Sequence, residues 1–101
     1  MDKLLLKSEH LKILTDIFQS YCPRAEVYAY GSRLNGNAHA GSDLDLAIKF
    51  NVEGKYLFEL KELISESNIP FLVDIHEYNN LPENFQQEIS KNFVVIFSKS
   101  S

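Results

Sequence analysis

A chain of 101 residues, 45% hydrophobic and 24% charged, has the make-up of a soluble globular protein, which argues against a disordered, collagenous or membrane-spanning chain. Folding at this length buries roughly two-thirds of the unfolded surface, so one domain over residues 1–101 needs no covalent staple, and there is no room for a second. Ten Lys and Arg against 14 Asp and Glu give a net charge of −4, which denies the surface a broad electrostatic grip on nucleic acid while leaving room for a local positive pocket.

In chain order, Leu4–Leu6 is the only apolar run near the N-terminus, too short for a signal-peptide core or a membrane span. With the single Cys22, which has no partner for an intramolecular disulfide, this reads as a cytoplasmic protein. Leu11, Leu14, Ile17, Phe18 and Tyr21 recur at helical spacing, predicting a helix over 8–21 with Ser8 as its cap and Pro23 as its stop. Residues 25–30 (AEVYAY) read as a strand ended by Gly31. Residues 32–42, with Asn35, Gly36, Asn37 and Gly41, read as a loop that opens with one helical turn.

Residues 43–50 alternate along a strand, with Leu44, Leu46, Ile48 and Phe50 on one face and Asp43, Asp45, Ala47 and Lys49 on the other. A helix over about 55–67 follows, then a strand from Phe71 to Tyr78. Pro82 suits the first turn of a short helix carrying Phe85 and Ile89, and a closing strand runs over 93–97. The order α, β, loop, β, α, β, α, β is compatible with α/β and α+β layouts alike.

The chemistry concentrates in residues 30–46, YGSRLNGNAHAGSDLDL. Gly31 and Ser32 stand where a strand ends and a turn begins. Backbone N–H groups and a hydroxyl there suit a phosphate, with Arg33 as a further donor, although Gly-Ser pairs also occur in ordinary turns. Asp43 and Asp45, at i and i+2, lie on one strand face roughly 6.5–7 Å apart. They read either as a solvated strand face or as ligands of a hard divalent cation. Asp74 interrupts an apolar strand, between Val73 and Ile75. If that strand lies beside 43–50, Asp74 completes a trio able to hold metal and to deprotonate an attacking hydroxyl.

The run Gly31-Ser32, Gly36, then Ser42-Asp43-x-Asp45-Leu46, with eleven residues from Ser32 to Asp43 and a third acid downstream, resembles the signature of the polymerase-β-like nucleotidyltransferases. The nearest likeness is to their stand-alone minimal nucleotidyltransferases. The resemblance implies an α+β nucleotidyltransferase fold, a small mixed sheet of about four strands with helices packed on it. It also implies transfer of a nucleotidyl group from a nucleoside triphosphate, ATP by preference, to an acceptor hydroxyl. On that likeness Asp43, Asp45 and Asp74 are the catalytic and metal residues for two Mg²⁺ ions, and Gly31 and Ser32 hold the β- and γ-phosphates. Arg33 and Ser42 contact phosphate or order the loop.

The likeness further implies a small helical HEPN-family toxin as partner. The nucleotidyltransferase serves as its antitoxin, adding AMP to a tyrosine. Two rival readings remain, a non-catalytic antitoxin that masks its partner and a nucleotide-sensing binding module. Elsewhere, His39 reads as a surface residue or a weak phosphate contact, and His76 beside Asp74 as a strand-edge histidine or as a contact to the acceptor or to a metal ligand. Tyr28 and Tyr30 read as packing residues, and Cys22 as a buried or helix-end cysteine.

Overall fold

The computed structural model describes residues 4–34 and 41–98. His39, with Asn35, Gly36 and Asn37, lies outside the described residues. Four strands build one sheet: β1 (Glu26–Tyr30), β2 (Leu44–Lys49), β3 (Val73–Glu77) and β4 (Val94–Phe97). Their order is β3-β2-β1-β4. β1 pairs antiparallel with both β2 and β4, and β2 pairs parallel with β3. Antiparallel strands can be joined by a loop, whereas a parallel pair needs a crossover. Helix α2 (Leu57–Ser65) sits in that crossover. The result is the mixed α+β sheet expected from the sequence.

Alternation along the strands divides the sheet into two faces. One carries Val27 and Ala29 from β1, Leu44, Leu46 and Ile48 from β2, and Ile75 from β3. They form one buried cluster with Leu14 and Phe18 of α1 (Ser8–Tyr21) and Leu60 and Ile64 of α2. Each large apolar side chain of the cluster contributes roughly 1.5–3 kcal/mol when fully buried. Cys22, at the end of α1, is buried in the same cluster, and desolvation pushes its thiol up to about 11. The thiolate is therefore absent at neutral pH.

The other face is covered only in part. Helix α3 (Glu83–Lys91) lies against β1 through Tyr30–Phe85 ring packing at 5.9 Å, while Tyr28 stacks edge-on to Phe93 at 5.5 Å just past the helix. Gln86 Nε2 donates to the carbonyls of Tyr78 and Leu81, both at 2.9 Å, which ties α3 to the short turn Tyr78–Asn80 after β3. The β2–β3 half of this face is left more open.

Three element ends differ from the sequence expectation. Ser8 is the first residue of α1 and not its cap. Lys7 holds the N-cap position with no side-chain hydrogen bond, and its carbonyl accepts from His10 and Leu11. Pro82 stands just outside α3, at the N-cap. Its carbonyl accepts from Gln86, and its missing N–H costs nothing there. Helix α2 is shorter than 55–67, because Tyr56 is extended and Lys55 precedes it.

Arg33, read from the sequence as a phosphate-contacting or loop-ordering donor, is placed by the fold where it orders the loop. It lies in a short 3₁₀ turn, Ser32–Leu34, and is only 3% exposed. Its Nε and Nη2 both donate to the Ser42 carbonyl, at 3.0 and 2.6 Å, and its Nη1 donates to the Leu5 carbonyl at 2.7 Å. The Leu5 N–H returns a bond to the Arg33 carbonyl at 2.9 Å, and the guanidinium stacks 4.2 Å over the Phe71 ring. Arg33 thus joins the N-terminal segment, the turn after β1, the entry to β2 and the entry to β3. Only a planar fork meets these demands together. Replacing it by lysine keeps the charge and loses the fork, so Arg33→Lys should lower stability by about 2–4 kcal/mol in urea unfolding. A cost below about 0.5 kcal/mol would remove Arg33 from this role.

Candidate active site

Asp45 and Asp74 come side by side because the β2–β3 pairing is parallel and in register. Leu44 N–H donates to the Leu72 carbonyl at 2.9 Å, and from there Asp45 faces Asp74, Leu46 faces Ile75, and Ala47 faces His76. Neighbouring strands lie about 4.8 Å apart, so the two carboxylates leave the sheet side by side. Asp43 precedes β2 on the same face as Asp45 and is exposed. On the other flank of Asp45 the antiparallel register places Tyr30. Two rows therefore cross the open face: Tyr30–Asp45–Asp74, and next to it Tyr28–Ala47–His76.

Electrostatics follow from this crowding. The Asp45 carboxyl is pushed above the usual carboxylate range, first by partial burial, then by the negative charges of Asp74 and Asp43; His76 pulls it back. Tyr30 is pushed up to about 12, by burial first and by Asp45 and Asp74 after it, so it remains a neutral phenol. The Oδ1 oxygen of Asp74 lies 3.0 Å from His76 Nε2. Among the described residues no group of three His, Cys, Asp or Glu side chains is placed to hold a metal ion. What the face offers is hard carboxylate oxygen and an excess of negative charge, the donor chemistry of Mg²⁺.

Gly31 closes the near side. Its φ is +86°, a left-handed value that glycine adopts without penalty. A Cβ on Gly31 would fall onto the Asp45 carboxylate. The bare backbone is what lets the turn press against the acid. The left-handed residue followed by the turn Ser32–Leu34 is the kind of backbone bend that aims successive N–H groups at one point. Ser32 is exposed, and it makes no hydrogen bond to a described residue. Ser42 is half-buried and serves through its carbonyl, which receives Arg33.

Of the seven candidate residues, Gly31, Ser32, Asp43, Asp45 and Asp74 thus border one stretch of the open face. Arg33 is inside the fold and Ser42 is its anchor. Tyr30, read from the sequence only as packing, is a wall of the acid cluster. The signal was present in EVYAY, whose alternation sets Tyr28 and Tyr30 opposite the buried Val27 and Ala29.

Comparison with known proteins bears on this arrangement. Residues 12–101 match the family model described as "Polymerase beta, Nucleotidyltransferase". Over 99 residues the chain is 41% identical to the "Probable protein adenylyltransferase MntA" of Haemophilus influenzae, covering 96% of this chain and 87% of that protein.

The close approach of Gly31 can be tested against a second glycine. Gly54 shares the left-handed conformation, at φ +83°, but a methyl group there would meet open space, with nothing within 4 Å. Gly31→Ala and Gly54→Ala should each lose about 1–2 kcal/mol to the backbone alone. In an Asp45→Ala background the cost at Gly31 should fall while that at Gly54 stays the same; equal changes at both would remove the Asp45 contact as the cause. The crowding of Asp45 is tested by pH. A carboxyl raised in the fold favours the protonated native state, so its ionisation penalises stability at neutral pH, and the penalty lifts as pH falls through the folded value. Asp45→Asn should therefore unfold at a higher temperature than the wild type at pH 7, with the gap narrowing in melts at successively lower pH. A gap that widens on acidification would contradict the raised carboxyl.

Proposed function

The chain belongs to the polymerase-β nucleotidyltransferase family, and on that footing we propose that it transfers AMP from ATP, with Mg²⁺, to a hydroxyl of a protein. The observation that carries this reading is the register pair Asp45–Asp74 beside Gly31, a set of acids abutting a bare glycine turn. The protein acceptor is supported by the likeness to a protein named as a probable protein adenylyltransferase, and by the acidic balance of the chain, which disfavours an RNA acceptor. The resemblance of the motif to the minimal nucleotidyltransferases supports a HEPN-family toxin as the acceptor, modified on a tyrosine, with this chain as its cytoplasmic antitoxin. Among the described residues no helix is long and apolar enough to cross a membrane.

In this reading Asp43, Asp45 and Asp74 hold two Mg²⁺ ions, which when bound neutralise phosphate charge and polarise the reacting phosphoryl group. The partial burial and then the neighbouring charges of Asp74 and Asp43 that raise the Asp45 carboxyl fit such a role. Gly31 lets the backbone come close to the β- and γ-phosphates, and the exposed Ser32 offers its N–H and hydroxyl to them. Asp74, half-exposed on the outermost strand of the pair, receives the proton of the acceptor hydroxyl. The acceptor oxygen then bonds to the α-phosphorus as the bond to the β-phosphate oxygen breaks, and pyrophosphate leaves. Arg33 takes part from inside, by holding the turn, and Ser42 by accepting its bonds.

Asp43→Asn, Asp45→Asn and Asp74→Asn should each lower transfer at least ~10³-fold while leaving a folded protein. The assay is transfer of label from α-phosphate-labelled ATP to the co-expressed helical partner in the presence of Mg²⁺. Label on RNA and none on protein would overturn the acceptor, and near wild-type transfer by Asp43→Asn would overturn the roles of the acids.

A further inference from the structure

The close contact between His76 and Asp74, 3.0 Å from Nε2 to Oδ1, has no use as a staple. Both side chains are about half-exposed, 41% for His76 and 53% for Asp74, and pairs this wet add little to stability. Yet the imidazole is well placed. His76 stands in the row Tyr28–Ala47–His76, and the methyl group of Ala47 leaves space beside it. Ala47 is 0% exposed, although it is the smallest side chain on this face, so its neighbours close over it. Asp74 has the opposite problem. Its register partner is Asp45, a like charge, and nothing on its own strand other than His76 holds its carboxylate in place.

We propose that His76 is a positioning residue for Asp74: its Nε2, 3.0 Å from Oδ1, pairs with that oxygen, which sets the rotation of the carboxylate and leaves Oδ2 as the oxygen presented to a cation and to the acceptor hydroxyl. The proposal rests on the reading of Asp74 as a metal ligand and proton acceptor. A hydrogen-bonded second partner is the common companion of a ligating carboxylate, and its loss typically costs about 10–100-fold in metal affinity or activity. The Asp74 side chain has two rotatable bonds, and without His76 it is free to turn away from Asp45 into water.

Mn²⁺ serves as the probe, with free Mn²⁺ read by electron paramagnetic resonance during titration of the whole chain. His76→Ala should bind it about 10–100-fold more weakly than wild type. His76→Gln, which keeps a donor at similar reach, should recover most of the affinity. Thermal midpoints of both variants without metal should match the wild type, because the pair is exposed. In an Asp74→Ala background, adding His76→Ala should change nothing further. Wild-type affinity in His76→Ala, with binding lost in Asp43→Asn, would overturn the role of His76 and leave the metal reading standing. An equal loss with and without Asp74 would also overturn it. Absence of binding in wild type and Asp43→Asn alike would overturn the metal reading and this proposal with it.

Discussion

Two carboxylates that repel each other stand side by side because a parallel strand pair holds them there. At an effective dielectric of about 20, charges some 5 Å apart repel by about 3 kcal/mol, and solvent around the half-exposed Asp74 reduces this. Against it stand the ladder hydrogen bonds of β2 and β3, each contributing about 0.5–1.5 kcal/mol. The other faces of the same strands bury Leu44, Leu46, Ile48 and Ile75, at about 1.5–3 kcal/mol each. The packing wins by a wide margin. A strand of period two cannot bury its leucines without presenting its aspartates, so the core and the acid cluster are two faces of one decision.

The remaining elements act on that pair from a distance. Arg33 draws the entries of β2 and β3 together through Ser42 and Phe71, and draws in the N-terminal segment through Leu5. Gly31 brings the turn after β1 up to Asp45, at a spacing where a Cβ would force the Asp45 carboxylate to move. Helix α3 and Phe93 cover the tyrosines of β1, which dries the Tyr30 flank of Asp45 and leaves the Asp74 flank open. One acid is partly desolvated and crowded, while the other is half-exposed to solvent.

The apolar pattern carried most of the fold. Period-two alternation in 43–50 and the helical stripe in 8–21 each had one low-energy reading, and the elements stand where those patterns put them. Ends were less legible. Ser8 and Pro82 each sit one place away from their expected role at a helix start, because caps depend on φ and ψ at a single residue and several neighbours suit them equally. Arg33 was harder still. Next to Gly-Ser a cation reads equally as a phosphate donor or as a loop-ordering residue, and nothing local announces that its bonding partners include carbonyls and a ring from three distant segments.

The sequence by itself determined which residue types are present and how they are spaced: a glycine-serine turn, two acids at i and i+2, a third acid inside an apolar strand, and the family these belong to. It could do so because strand periodicity and turn chemistry are local. Only the tertiary structure decided that β3 lies parallel beside β2 in the register that sets Asp74 against Asp45, that Tyr30 and Gly31 wall the acid in, and that His76 reaches Asp74 beside a buried alanine. Those are contacts between segments far apart in the chain, settled by packing over the whole sheet.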